Sequence, residues 1–168
     1  MSLQDRGNSV NAHDFSFDGL TGGTVDLAAF KGKPVLVVNT ASACGFTPQY
    51  KDLQALWTRM KARGLVVIGV PSNDFGAQEP GTAEQIASFC EKNYGVDFPL
   101  TAKQKVTGGD AHPFFRWLAQ ELGEAGAPRW NFHKFLIGPA GDVAGVYGSR
   151  VKPDDAELTA KIEELLPA

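Results

Sequence analysis

Two runs, residues 34–39 and 65–70, are almost wholly β-branched or aliphatic, and the segment between them repeats its apolar residues at helical spacing. Pro34-Val35-Leu36-Val37-Val38-Asn39 and Leu65-Val66-Val67-Ile68-Gly69-Val70 lack the polar alternation of a strand with one wet face. Each therefore reads as a strand buried on both faces. Between them, Leu53, Leu56, Trp57 and Met60 follow the i, i+3, i+4, i+7 pattern of one helix face, and Gly64 is placed to end that helix. Strand, helix and strand of this kind make a right-handed βαβ crossover with parallel strands.

The remaining segments extend that unit. Residues 15–17 and 24–26 read as short extended pieces joined by the turn-rich Asp18-Gly19-Leu20-Thr21-Gly22-Gly23, a hairpin. Residues 84–92 read as a second helix, with Thr82 as N-cap and Ile86, Phe89 and Cys90 on its apolar side. Residues 112–122 read as a third, with Pro113 in the first turn. Residues 134–137 and 143–147 form an antiparallel hairpin around Gly138-Pro139-Ala140-Gly141-Asp142, and residues 153–166 a closing amphipathic helix. This order predicts an α/β molecule with a mixed central sheet flanked by helices. It is the order of a thioredoxin-like fold with an N-terminal β-hairpin extension.

A length of 168 residues with 43% hydrophobic content fits one domain over 1–168, with 1–12 as a flexible N-terminal segment. The net charge of −3 gives no cationic field, which argues against nucleic acid as a partner. The polar N-terminal stretch has no secretory pattern, and no apolar run reaches the roughly 20 residues of a membrane span. The expected location is the cytoplasm.

Chemistry centres on the two cysteines, Cys44 and Cys90. They are too few for a disulfide scaffold, and a zinc site of Cys44, Cys90, His112 and His133 lacks any close ligand pair. No metal or cofactor is expected. Cys44 follows the first buried strand and precedes the helix containing Pro48, a junction where backbone N–H groups and the positive end of the helix dipole favour a thiolate. Its neighbours Ser42, Gly45 and Thr47 are small or polar, which suits an approachable nucleophile better than a core residue. Thr47 stands where a C-x-x-C motif has its second cysteine, so dithiol exchange within that tetrapeptide is impossible.

Three segments together resemble the glutathione peroxidase family over nearly the whole chain. Val38-Asn39-Thr40-Ala41-Ser42-Ala43-Cys44-Gly45-Phe46-Thr47 is similar to the family's active-site segment. Pro71-Ser72-Asn73-Asp74-Phe75-Gly76-Ala77-Gln78-Glu79-Pro80 is similar to its P-C-N-Q-F-x-x-Q-E-P loop, and Trp130-Asn131-Phe132-His133-Lys134-Phe135-Leu136 to its W-N-F-x-K-F-L segment. The resemblance implies a catalytic tetrad of Cys44, Gln78, Trp130 and Asn131, with Cys44 attacking the peroxide and the other three donating hydrogen bonds. It also implies that Cys90 is the resolving cysteine of cysteine-type members, which forms a disulfide with the oxidised Cys44. The short interval between Leu118 and Trp130 resembles monomeric members that take electrons from thioredoxin, with glutathione the weaker choice.

Two departures stand in the second segment: Ser72 replaces a frequent cysteine and Asp74 a glutamine, which puts a carboxylate near the site. His13, His112 and His133 have no place in the implied mechanism and are expected to be structural or on the surface. Two other functions use the same cysteines: a disulfide oxidoreductase acting on protein thiols, and a redox sensor that passes its oxidation to a partner protein. The preferred peroxide is not legible.

Overall fold

In the computed structural model, which describes residues 10–167, ten regular elements follow one another. They are β1 (Ser16–Asp18), β2 (Thr24–Asp26), β3 (Val35–Thr40), α1 (Gln49–Met60), β4 (Val66–Pro71), α2 (Ala83–Tyr94), α3 (Pro113–Leu122), β5 (Lys134–Ile137), β6 (Val143–Tyr147) and α4 (Ala156–Leu165). The main sheet has the order β4-β3-β5-β6, with β3 parallel to β4 and antiparallel to β5. The hairpin β1-β2 stands apart as a two-stranded sheet.

The central strands are buried on both faces, and their two-residue period divides the core. Val35, Val37, Val66, Ile68, Val70, Phe135 and Ile137 pack with Phe17 and the aromatic face of α3. Leu36, Val38, Val67 and Leu136 pack on the other side with Tyr50, Leu53 and Leu56 of α1, Ile86 and Cys90 of α2, and Leu158 and Ile162 of α4. Helices thus cover both faces, and the α1 crossover leaves the C-terminal ends of β3 and β4 side by side, where the loops bearing Cys44 and Gln78 begin.

The segment after α2 docks on the outer edge of β4. Gly69 N–H donates to the Pro99 carbonyl at 3.0 Å and Thr101 N–H to the Gly69 carbonyl at 2.9 Å. A Cβ at Gly69 would meet Leu100 Cδ2 at 2.6 Å, so a side chain there would push the Leu100 side chain aside.

Several expectations need adjustment. The last helix begins at Ala156 rather than at 153, because the Asp155 carboxylate caps the N–H groups of Glu157 and Leu158. The second helix runs on to Tyr94, where Gly95 turns left-handed and ends it. Of the N-terminal segment expected to be flexible, residues 1–9 lie outside the described residues. Asn11 and Ala12, however, belong to the fold: Ala12 is buried and its N–H donates to the Gly141 carbonyl at 3.0 Å. No helix among the described residues is long and apolar enough to cross a membrane.

Candidate active site

The loop after β3 is held by one threonine. Thr47 Oγ1 donates to the Ala41 carbonyl at 2.8 Å and accepts the Cys44 N–H at 2.9 Å, while Thr47 N–H donates to the Cys44 carbonyl at 3.0 Å. The residue that stands in place of a second cysteine therefore fixes the backbone around the first. Cys44 is 9% exposed, less open than its small neighbours suggested, but exposed Ala43 and Gly45 flank it. The Phe46 N–H points at its sulfur at 3.3 Å, a single backbone donor from the turn that leads into α1.

The loop after β4 meets this loop through its backbone, the Ala43 N–H donating to the Gln78 carbonyl at 3.1 Å. The turn before β5 brings the remaining two residues. Asn131 is fully buried and its Nδ2 donates to Gln78 Oε1 at 2.9 Å and, more weakly, to the Phe75 carbonyl at 3.4 Å. Trp130 is 36% exposed, leans on Phe75 with ring centroids 5.8 Å apart, and lies over Gly76, where a Cβ would come within 3.0 Å of its ring. Gln78, and Trp130 with Asn131, predicted from two distant segments, are thus brought to the Cys44 loop.

Backbone strain marks the same place. Among the described residues, the non-glycine residues with left-handed backbone are Ala77 (φ 51°) and Phe132 (φ 63°), directly before Gln78 and directly after Asn131. Phe132 is buried, and its N–H donates to the Asn39 carbonyl at 2.6 Å while Asn39 Nδ2 donates to the Trp130 carbonyl at 2.9 Å. The end of β3 therefore grips the Trp130–Asn131 turn from below.

Cys90 is not in this cluster. It is 1% exposed on the inner face of α2, and both cysteines are free thiols. Burial pushes the Cys90 thiol up to about 11; the nearby Tyr50 hydroxyl works against that rise and the Glu79 carboxylate adds to it. Around it lies a buried polar group unforeseen from sequence, in which Thr40 Oγ1, Ser42 Oγ, Tyr50 OH and Glu79 Oε2 have no hydrogen-bond partner among the described residues. Burial also raises the Glu79 carboxyl, with Ser42 and Lys103 opposing.

Asp74 is engaged by backbone donors. Its Oδ2 accepts the N–H groups of Val106 at 2.7 Å and Thr107 at 3.2 Å, so it braces a neighbouring loop. His112 caps α3, its Nδ1 accepting the Phe114 N–H at 3.1 Å and its Nε2 lying 3.0 Å from the Ser16 carbonyl. His13 is buried. So is His133, and burial first, with Lys134 and Arg129 adding, pushes its pKa down to about 4. Beside the site, Phe46, Trp130, Val151, His133, Arg129 and Arg150 line an open groove of about 560 Å³. Its lining is mainly apolar, and among the described residues neither arginine is in an ion pair.

Comparison with known proteins identifies the family. A family model described as glutathione peroxidase matches residues 12–119. The chain is 49% identical over 162 residues to the hydroperoxy fatty acid reductase gpx1 of Synechocystis, covering 92% of this chain and 95% of that one. It is 51% identical over 139 residues to the glutathione peroxidase-like peroxiredoxin HYR1 of Saccharomyces cerevisiae, covering 81% and 84%. Among solved structures, Trgpx in its apo form is 39% identical with a TM-score of 0.74, covering 94% of this chain and 96% of that one. A thioredoxin-family thiol:disulfide interchange protein of Chlorobium tepidum, 19% identical, shares the fold at a TM-score of 0.69 over 91% and 93%. The fold is thioredoxin-like.

Proposed function

The chain belongs to the glutathione peroxidase family and is a peroxidase, and we propose that it works as a two-cysteine enzyme with Cys44 as the peroxidatic and Cys90 as the resolving residue. In the first step the Cys44 thiolate attacks one oxygen of the hydroperoxide, the O–O bond breaks, and the alkoxide or hydroxide leaves as it takes up a proton. Cys44 becomes a sulfenic acid. Gln78 and Trp130 serve this step as neutral donors that stabilise the developing oxyanion without competing as bases, and Asn131 holds the Gln78 amide in place. In the second step the Cys90 sulfur attacks the Cys44 sulfur, the S–O bond breaks, and water leaves a Cys44–Cys90 disulfide. An external dithiol then reduces the disulfide.

The observation that carries this reading is the convergence of Gln78 and Asn131, bonded to each other at 2.9 Å, on the loop of Cys44. A protein dithiol of the thioredoxin type suits a disulfide product better than glutathione does, and the peroxiredoxin-like names of the yeast and algal relatives support that choice. The open apolar groove with Arg129 and Arg150 leaves room for organic hydroperoxides, in keeping with the name of the Synechocystis relative. The enzyme on this reading acts as a monomer in the cytoplasm.

The test is peroxide consumption coupled to NADPH oxidation, through thioredoxin and its reductase or through glutathione and its reductase. Wild type is expected to turn over with thioredoxin, and Cys44→Ser and Cys90→Ser to lose that activity. A Cys90→Ser variant that matches wild type under thioredoxin removes the resolving role and leaves Cys90 a core residue.

A further inference from the structure

Lys134 is the first residue of β5, fully buried, on the sheet face it shares with Leu136. An aliphatic side chain fits such a position without difficulty, whereas a buried ammonium is expensive unless its donors are used. Among the described residues no carboxylate pairs with it. Its Nζ instead donates to the Phe132 carbonyl at 2.6 Å and reaches the Ser149 carbonyl at 3.4 Å.

Those two acceptors explain what the amine does. Phe132 is the residue held at φ 63°, a conformation that a bulky aromatic adopts only where its surroundings enforce it. Asn39 secures the turn at the Trp130 carbonyl and the Phe132 N–H, and Lys134 secures it at the Phe132 carbonyl. Ser149, whose carbonyl also accepts Gln49 Nε2 at 2.7 Å, ties the same amine to the start of α1. A lysine, unlike an apolar residue, reaches both carbonyls. Burial pushes its pKa down to about 7, yet the neutral amine still carries N–H groups, so the clamp survives either protonation state.

We propose that Lys134 is a positioning residue for peroxide reduction: by holding the Phe132 carbonyl it fixes the left-handed turn that presents Trp130 and Asn131 to Cys44. The inference rests on the reading of the site given above.

The experiment compares two rates at Cys44 in folded, reduced protein, with circular dichroism as the check on folding. One is single-turnover oxidation by hydrogen peroxide, which uses the donors on the turn. The other is alkylation by iodoacetamide, which needs only an accessible thiolate. In Lys134→Met we expect peroxide oxidation to fall roughly tenfold or more, because a small misplacement of positioning groups is costly, with alkylation within about twofold of wild type. Lys134→Arg keeps N–H donors and is expected to recover part of the loss. If Lys134→Met does not fold, the same rates are read in Lys134→Gln, whose shorter amide is expected to give the same selective loss.

Asn131→Ala serves as the reference. If it oxidises like wild type, the reading of the site fails, and this inference with it. If it is slow while the Lys134 variants oxidise like wild type, only this inference is overturned. Equal loss of both rates also overturns it, since that places the effect on the thiolate and not on the turn.

Discussion

Gln78 and Asn131 each commit one atom to the other, and this decides which atoms remain for a substrate. Asn131 Nδ2 donates to Gln78 Oε1 at 2.9 Å, so the Gln78 oxygen is taken and its NH₂ group is left to donate. Asn131→Asp tests the arrangement. An aspartate in place of the amide cannot donate to Oε1, and it sets a buried negative charge beside the place where an oxyanion develops. Single-turnover oxidation of Cys44 is expected to slow by about 10²-fold or more, the loss typical of one oxyanion donor removed, as read by stopped-flow after mixing with peroxide. These residues were legible in the sequence because each lies inside a contiguous motif. Asp74 was not: its neighbours suggested a charge near Cys44, whereas its partners are the Val106 and Thr107 N–H groups, about thirty residues away in the chain. The burial of Lys134 and the polar group around Tyr50 and Glu79 were equally hidden. Local periodicity marks a position as facing inward but does not reveal which carbonyl or hydroxyl waits there.

At the scale of the element, the proposed resolving step depends on α2. The helix is fastened at both ends. Thr82 and Gln85 exchange side chain–backbone bonds at 3.2 and 2.9 Å, and Gly95 closes the C-terminus with bonds to the Cys90 and Glu91 carbonyls. Cys90 is 1% exposed on the buried face of α2, so on the proposed mechanism the resolving step draws on local unwinding of α2 to release its sulfur. Thr82→Ala removes the cap, which weakens a helix by about 1 kcal/mol and so raises the opened population about fivefold. The expected outcome is faster resolution: after one equivalent of peroxide, the Cys44–Cys90 disulfide forms several-fold sooner in acid-quenched, non-reducing samples. An unchanged rate would mean that opening of α2 does not limit the step. The cap itself was readable from sequence, as were the strands, the crossover and the Gly64 stop, because each depends on residues within one turn or one period. The docking of residues 99–101 on β4 rests on backbone bonds to Gly69 from a segment far along the chain, and no local pattern encodes it.

For the molecule as a whole, the fold it shares with a thiol:disulfide interchange protein supplies the frame, and the chemistry differs through Thr47 and the three converging loops. Keeping Lys134 inside that frame has a consequence for stability. Its pKa is about 7 in the folded chain against roughly 10.4 when unfolded. Between those values the unfolded chain binds the extra proton, so stability rises with pH across that window. Below about pH 7 both states carry the charge, and the full penalty, on the order of several kcal/mol, is present. His133 acts in the same direction at lower pH. Its folded pKa of about 4 lies below the unfolded value near 6.5, so stability falls as pH drops through that interval. Glu79 has the opposite sign: its raised pKa removes stability as pH climbs above the ordinary carboxyl value. Urea unfolding of wild type and Lys134→Met at intervals from pH 6 to pH 10 separates the lysine from the rest. The free-energy difference, wild type minus variant, is expected to stay level up to about pH 7 and then to rise steadily towards pH 10, because only wild type sheds the buried charge on the way. A difference that stays level over the whole range would mean that the amine keeps its ordinary pKa inside the fold, and that the Phe132 and Ser149 carbonyls compensate the ammonium in full.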